Sequence, residues 1–397
     1  MITRLENVTL VTPGRLFPGS SIDVENDKIV AVHTSAPTPL ENGTSIDYNG
    51  AYAMPGFVDI HIHGGGDVDF CTGTPEEIKA GCHAHAQYGT TTIIPTTVTA
   101  PFERILAAIK NIRAAADMVT DCTIPGCHLE GPFFSPAQAG AQDPATLLEP
   151  NVEMLDAFCE AWPGGIKIMG AAPELKGGIQ FGNELKKRGI LATIAHSDAN
   201  YSTCVEALKN GYSDITHIYS GCSIVHRENA FRIGGVVEAG LVEDDFTVQM
   251  IADGCHLPPE LLRLIYKCKG ADKISMITDA LAFAAAGHPE GATTHGGNGD
   301  VYVLEDGVMK LENRQAFAGS VATTDRLVRN MVTLAGVSLC DAVTMMTRTP
   351  ARVVGLDDHK GSILPGYDAD IVIMDKELQV QSVMAMGKFI RCGGESL

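Results

Sequence analysis

The sequence predicts an α/β fold: a (β/α)8 TIM barrel carrying a small β-sandwich domain formed by both chain ends. Three observations carry that reading. The middle of the chain alternates short β-branched runs with Ala-, Leu- and Lys-rich helical stretches about eight times, as a (β/α)8 barrel requires. Both ends instead alternate apolar and polar residues in short runs broken by Gly, Pro and Asn, which is hairpin texture. A length of 397 residues exceeds one ordinary small domain but suits a large barrel with an accessory domain. The expected division is 1–52 plus 360–397 for the small domain and 53–359 for the barrel.

In chain order, ENVTLVTP, SIDVENDKIVAV and SIDYNGAYA supply the first small-domain strands, and GSILPGYDADIVIMD and LQVQSVMAMGKFIRCG the last. The eight barrel strands are read as AMPGFVDIHIH, TTTIIPTT, TIPGCHLEG, GIKIMGAAPE, GILATIAHS, DITHIYS, TVQMIADG and KISMITDA. Helices between them include PEEIKAGCHAHAQYG, PFERILAAIKNIRAAADMV, YSTCVEALKNG and PPELLRLIYKCKG. The Gly-rich GHPEGATTHGGNGDVYVLEDG reads as a loop and hairpin near the barrel mouth, followed by a helix from about Thr323.

Composition narrows the function. A formal charge of -19 repels nucleic acid and anionic membrane, and it obliges any anionic ligand to find a local basic pocket. The 11 cysteines are odd in number and none forms a C-x-x-C pair, so reduced thiols fit better than a disulfide framework or zinc ribbon. The N-terminus has no apolar core of signal-peptide length, and no apolar run approaches the roughly 18 residues of a membrane span. The expected location is cytoplasmic.

Barrel enzymes build their sites at the C-terminal ends of the strands, and metal-capable residues stand at five of these ends. The first strand ends in His61-Ile62-His63, where i and i+2 share a face and both imidazoles can reach one cation. The third ends in His128-Leu129-Glu130, the fifth in His196, the sixth in His217 and the eighth in Asp279. A lone histidine at a strand end is ordinarily a hydrogen-bonded core or surface residue; five such ends together point to a metal centre. Imidazoles with a carboxylate suit zinc or ferrous iron. Such a cation acidifies a water and polarises a carbonyl, while a separate carboxylate, here Asp279, moves the proton. His83 and His85 lie two apart on a predicted helix, do not share a face, and are read as structural. His33, His288, His295 and His359 are read as loop or surface residues.

PGFVDIHIHGG, CHLEGPF, AHSDAN, THIYSG, IADGCHL and MITDA, in this order, resemble the N-acetylglucosamine-6-phosphate deacetylases of the amidohydrolase superfamily. The resemblance covers nearly the whole chain, and HLEGPF with IADGCHL is its most specific part. It implies one cation held by Glu130, His196 and His217, and a second held by His61 and His63 with Glu130 bridging. It implies Asp279 as general acid/base. Arg227 would bind the substrate phosphate across a homodimer interface, with backbone amides of Ser220 and Gly221 and help from His226. His256 would touch the sugar or its phosphate, and Phe317 would cover the substrate. One departure stands out: Gln142 occupies the place of a histidine that contacts the substrate carbonyl in better-known members, and an amide cannot carry a proton. The implied reaction is hydrolysis of the acetamide of a phosphorylated N-acetyl amino sugar, with an epimeric hexosamine phosphate or another amide as the alternatives. Superfamily members with a carbamylated lysine on the fourth strand fit less well, because Lys167 precedes most of that strand's apolar run. A non-catalytic binder on the same scaffold has no need of Asp279.

Overall fold

The computed structural model describes residues 1–35, 37–40, 42–296, 299–392 and 395–396. The barrel strands are Phe57–Ile62, Thr90–Thr97, Cys127–Leu129, Ile166–Ala171, Leu191–Ile194, Tyr212–Ile215, Thr247–Ile251 and Ile274–Ile277. Each pairs in parallel with the next, in chain order. The ends of the sheet meet where the Asp279 N–H donates to the His61 carbonyl at 2.9 Å and Thr278 Oγ1 donates to Asp59 Oδ2 at 2.5 Å. Eight parallel strands with helices between them bear out the (β/α)8 reading.

The seventh strand shows why the pattern works. Val248 and Met250 join the large apolar cluster, while Ile251 packs in the smaller one with Val58, Ile60, Ile94, Ile168 and Ile277. Alternation with period two thus separates two faces of one strand. Helix Pro75–Ala86 starts on a capping box, with Thr74 and Glu77 satisfying each other's backbone N–H groups. Helices Val152–Ala161, Gly178–Lys187 and Val236–Val242 are additions to those the sequence pattern names. The second of them carries glycines where its backbone meets the barrel; a Cβ on Gly182 would press on the Tyr212 ring at 2.5 Å.

The chain ends build one nine-stranded sheet from strands within residues 2–55 and 371–396. Strand Ile371–Met374 ties the two ends by pairing antiparallel with Tyr52–Pro55. Its Ile371 and Ile373 enter a cluster with Leu5, Ile22 and Met384, while Val372 and Met374 face the barrel cluster. Lys360 adds a polar clamp: its buried Nζ meets Asp370 Oδ2 at 2.7 Å, Asp368 Oδ2 at 2.9 Å and Thr123 Oγ1 at 2.9 Å. All 11 cysteines are free. No helix among the described residues is long and apolar enough to cross a membrane.

Some expectations shift in detail. The Gly-rich stretch after the eighth strand contributes to a four-stranded sheet, Thr293–His295, Val301–Glu305, Val308–Leu311 and Phe317–Gly319, rather than a single hairpin. Gly297 and Asn298 of that stretch lie outside the described residues. His295 ends a strand but is exposed, in keeping with a surface residue, while His33 ends a strand half-buried beside Asp23.

Candidate active site

The strand ends converge on a cleft of about 210 Å³. His63, Glu130, Gln142, His196, His217, Ser220, Gly221, His256, Asp279 and Phe317 line it. His61 lies fully buried at its floor. The Glu130 carboxylate is the hub. Its Oε1 lies 2.8 Å from His217 Nε2, 3.3 Å from His196 Nε2 and 3.5 Å from His61 Nε2, and its Oε2 lies 3.2 Å from His63 Nε2. Asp279 Oδ1 lies 3.2 Å from His63 Nε2 and 3.5 Å from His61 Nε2. Two sets, His61 with Glu130 and His217, and His61 with His63 and Asp279, each bring their ligand atoms close enough to share one ion.

The backbone at these ends is bent to aim the side chains. His196, His217 and Asp279 take φ values of 44°, 23° and 48°, a left-handed region that costs a non-glycine residue about 1 to 3 kcal/mol. Close approach does the rest. Gly221, with φ of 55°, sits where a Cβ would be 2.7 Å from His196 Nδ1. Gly65, just past the paired histidines, leaves room for His85, whose buried Nε2 bonds to the Gly64 carbonyl at 2.9 Å.

The donor chemistry fits a cation. His196 Nδ1 meets the Gln138 carbonyl at 2.8 Å, His217 Nδ1 meets the Ser220 carbonyl at 3.0 Å and His61 Nδ1 meets Gln249 Oε1 at 3.0 Å. Each partner is an acceptor, so each Nδ1 carries a hydrogen and each Nε2 faces Glu130, where its lone pair would serve a bound cation. Lone pairs facing a carboxylate need a positive charge between them. The same negative charge acts on His63. Burial disfavours a charged His63, yet Asp279 and Glu130 raise its pKa to about 10. Burial likewise opposes ionised Asp279, but His63 and His61 hold it below the usual carboxylate range.

The other expected residues divide. His256 Nδ1 bonds to Asp253 Oδ2 at 2.8 Å, and its ring centroid lies 4.9 Å from that of Phe317. Burial works against its charge, but Asp253 prevails and raises the imidazole pKa. Gln142 does not point freely at a substrate: Oε1 accepts from the Thr99 N–H and Nε2 donates to Glu130 Oε2, both at 3.0 Å. The Ser220 N–H is spent on the His217 carbonyl at 2.9 Å, so the expectation of two open amides narrows to Gly221. His226 and Arg227 sit on an exposed hairpin, His226–Glu228 with Phe231–Ile233, and do not line this chain's cleft. His83 bonds to Asp121, in keeping with its structural reading.

Several residues around the site escape a reading of the sequence. Tyr302 and Leu281 line the cleft from the four-stranded sheet and its approach. His128, named at its strand end by the sequence, turns away from the cleft: it is fully buried with its ring centroid 4.6 Å from that of His61. Asp214 and Gln249 stand behind His61. A strand-end motif points to residues that open into the cleft; nothing in it marks those that back them.

A parallel barrel with buried imidazoles and carboxylates at its C-terminal mouth defines a metal-capable hydrolase scaffold. The chain belongs to the amidohydrolase family, whose model matches residues 52–390. It is 33% identical over 335 residues to an N-acetylgalactosamine-6-phosphate deacetylase of Escherichia coli O157:H7, covering 84% of this chain and 86% of that one. It is 31% identical over 394 residues to an N-acetylglucosamine-6-phosphate deacetylase of Lysinibacillus sphaericus, covering 97% and 96%. Among solved structures, a mutant N-acetyl-D-glucosamine-6-phosphate deacetylase from Mycobacterium smegmatis in complex with N-acetyl-D-glucosamine-6-phosphate aligns with a TM-score of 0.88 at 29% identity, over 98% of this chain and 99% of that one.

Proposed function

We propose that this enzyme hydrolyses the acetamide of N-acetyl-D-glucosamine 6-phosphate to D-glucosamine 6-phosphate and acetate. The observation that carries the reading is the position of Asp279, an ionised carboxylate 3.2 Å from His63 at the wall of the cleft and on the rim of a cation-ready cluster. Glu130, His196 and His217 would hold one divalent cation, and His61 and His63 with Glu130 a second; zinc or ferrous iron suits these donors. When bound, the cation supplies polarisation of the acetyl carbonyl and acidification of water. Asp279 accepts the attacking water's proton at its carboxylate as the C–O bond forms and the carbonyl π bond opens, then returns it to the nitrogen, whose C–N bond breaks as the carbonyl re-forms. His256, whose imidazole pKa Asp253 raises against burial, faces the side of the cleft where the sugar phosphate would lie. Phe317 covers the sugar, and Gly221 offers its amide.

Arg227 completes the phosphate site from a neighbouring chain in a homodimer, assisted by His226. Its exposed hairpin supports this, since Phe231 is 74% exposed and Ile224 53% exposed beside it, an apolar surface that association would bury. The chain acts in the cytoplasm, and its small domain comprises 1–52 plus 360–397 around a barrel of 53–359. The 33% identical galactosamine-type relative favours a second reading, in which the epimeric N-acetylgalactosamine 6-phosphate is the better substrate.

Acetate release from the two phosphorylated epimers and from unphosphorylated N-acetylglucosamine, with zinc or ferrous iron supplied, tests both readings. The gluco phosphate is expected to be fastest, with loss on chelation. A faster galacto phosphate selects the second reading, and equal rates with and without phosphate sink the phosphate assignment.

A further inference from the structure

His61 is the one expected ligand that appears in both cation-ready groups, and in the reading above it serves the cation position shared with His63. Its Nε2 can bind a cation only if the hydrogen stays on Nδ1, and Nδ1 faces Gln249 at 3.0 Å. A glutamine can turn either its oxygen or its NH2 toward a neighbour, and by itself leaves the tautomer undecided. Asp214 removes the choice. Gln249 Nε2 lies 2.8 Å from Asp214 Oδ2, and Thr247 Oγ1 donates to Asp214 Oδ1 at 2.5 Å. Two donors point at this carboxylate, so it serves as an acceptor. Gln249 must then give it the NH2 and show its oxygen to His61. The side chains of His61, Gln249 and Asp214 are fully buried. They come from the first, seventh and sixth strands, and the polarity runs one way, from His61 through Gln249 to Asp214.

We propose that Gln249 and Asp214 are positioning residues that lock the His61 tautomer and thereby determine whether the His61/His63 cation position fills. The proposal rests on the metal-centre reading above, and its readout is zinc content, not turnover. Gln249→Met keeps the bulk and removes the hydrogen bonds. Losing such a backing partner typically lowers metal affinity about 10- to 100-fold. Asp214→Asn leaves two facing amides that can both turn over, so Gln249 no longer has to show its oxygen to His61. The double variant Gln249→Glu/Asp214→Asn restores the polarity with the groups exchanged: the amide introduced on the sixth strand donates, and the carboxylate introduced on the seventh accepts from it and from His61.

The experiment loads each protein with zinc alone, dialyses against a graded chelator series and counts zinc per chain, with circular dichroism to verify folding. The expected result is a second zinc equivalent in the wild type that Gln249→Met and Asp214→Asn release about 10- to 100-fold more readily, with the first equivalent retained. Zinc content returns in the double variant. That rescue decides the matter even if Gln249→Met does not fold, because a merely space-filling role predicts no recovery on exchanging the groups. Unchanged second-zinc retention in Gln249→Met, or a double variant no better than Asp214→Asn, overturns the proposal. A wild type that holds only one zinc overturns it too, whereas a wild type that holds none also overturns the metal-centre reading beneath it.

Discussion

His85 makes the fold acid-sensitive at a point that supports the first pair of metal-capable histidines. It is fully buried on helix Pro75–Ala86, and its Nε2 holds the Gly64 carbonyl at 2.9 Å. Burial depresses its pKa from 6.5 to about 4, with the Gly64 carbonyl only partly opposing. The unfolded chain therefore binds the proton more readily between these values. Stability present above the unfolded pKa is lost as the pH falls through that window. At about 1.36 kcal/mol per unit, the full effect is about 3 kcal/mol, of which roughly 2 kcal/mol is already gone at pH 5. His85→Gln keeps an NH near the Nε2 position and cannot titrate. Urea unfolding of both proteins at pH 8 and pH 5 isolates the effect, because other titrating groups are common to the two and cancel. The wild type is expected to lose about 2 kcal/mol more than the variant between the two pH values. An unchanged gap would refute the reasoning, since it would mean that His85 is equally easy to protonate folded and unfolded.

Three more outcomes are expected at the site and the domain junction. Asp279→Asn should cut acetate release about 10²- to 10⁴-fold while zinc content is kept, as removal of a proton carrier but not of the expected core ligands requires. Lys360→Met leaves Asp368 and Asp370 facing each other in a buried site and should cost about 3 to 5 kcal/mol in denaturant unfolding, with recovery when the two aspartates are changed to asparagine. Arg227→Ala should raise KM for the phosphorylated substrate only, and mixing it with Asp279→Asn chains under subunit exchange should restore turnover in hybrid dimers, which a cis-acting arginine cannot do.

Much of the barrel is legible in the sequence because its signals are local. Thr90–Thr97 coincides with the TTTIIPTT run, and the His61/His63 pair follows from strand spacing alone. What the sequence hides are polar residues that work by pairing across strands. Gln249 sits in TVQMIADG as an ordinary interruption of an apolar run, and Asp214 opens DITHIYS as if capping a strand. Their meaning lies in contacts 188 and 35 residues apart in the chain, which no local pattern encodes. Arg227 shows the opposite limit: its spacing from His217 is legible, but one chain's fold leaves it on the surface, so a role at the phosphate needs a cleft from outside that chain.

Gln142 is where the family expectation and the geometry diverge most, and the divergence is testable. If its amide served the substrate carbonyl, Gln142→Ala would reduce kcat by the 10²- to 10³-fold typical of losing a donor to a developing oxyanion, a drop of about that order. The contacts argue for a different role. Oε1 is bound by the Thr99 N–H, in a residue that is fully buried, and Nε2 is bound to the Glu130 oxygen that also faces His63. Removing the amide therefore strips a backbone donor of its partner, at about 1 to 3 kcal/mol, and frees one Glu130 oxygen for a cation. The expected variant is less stable, binds zinc more tightly and loses less than about tenfold in kcat. A fall in kcat of about a hundredfold or more, with zinc affinity unchanged, would return Gln142 to the substrate. Since an amide cannot shuttle protons in either case, the proposed mechanism leaves both proton transfers to Asp279 rather than to Gln142.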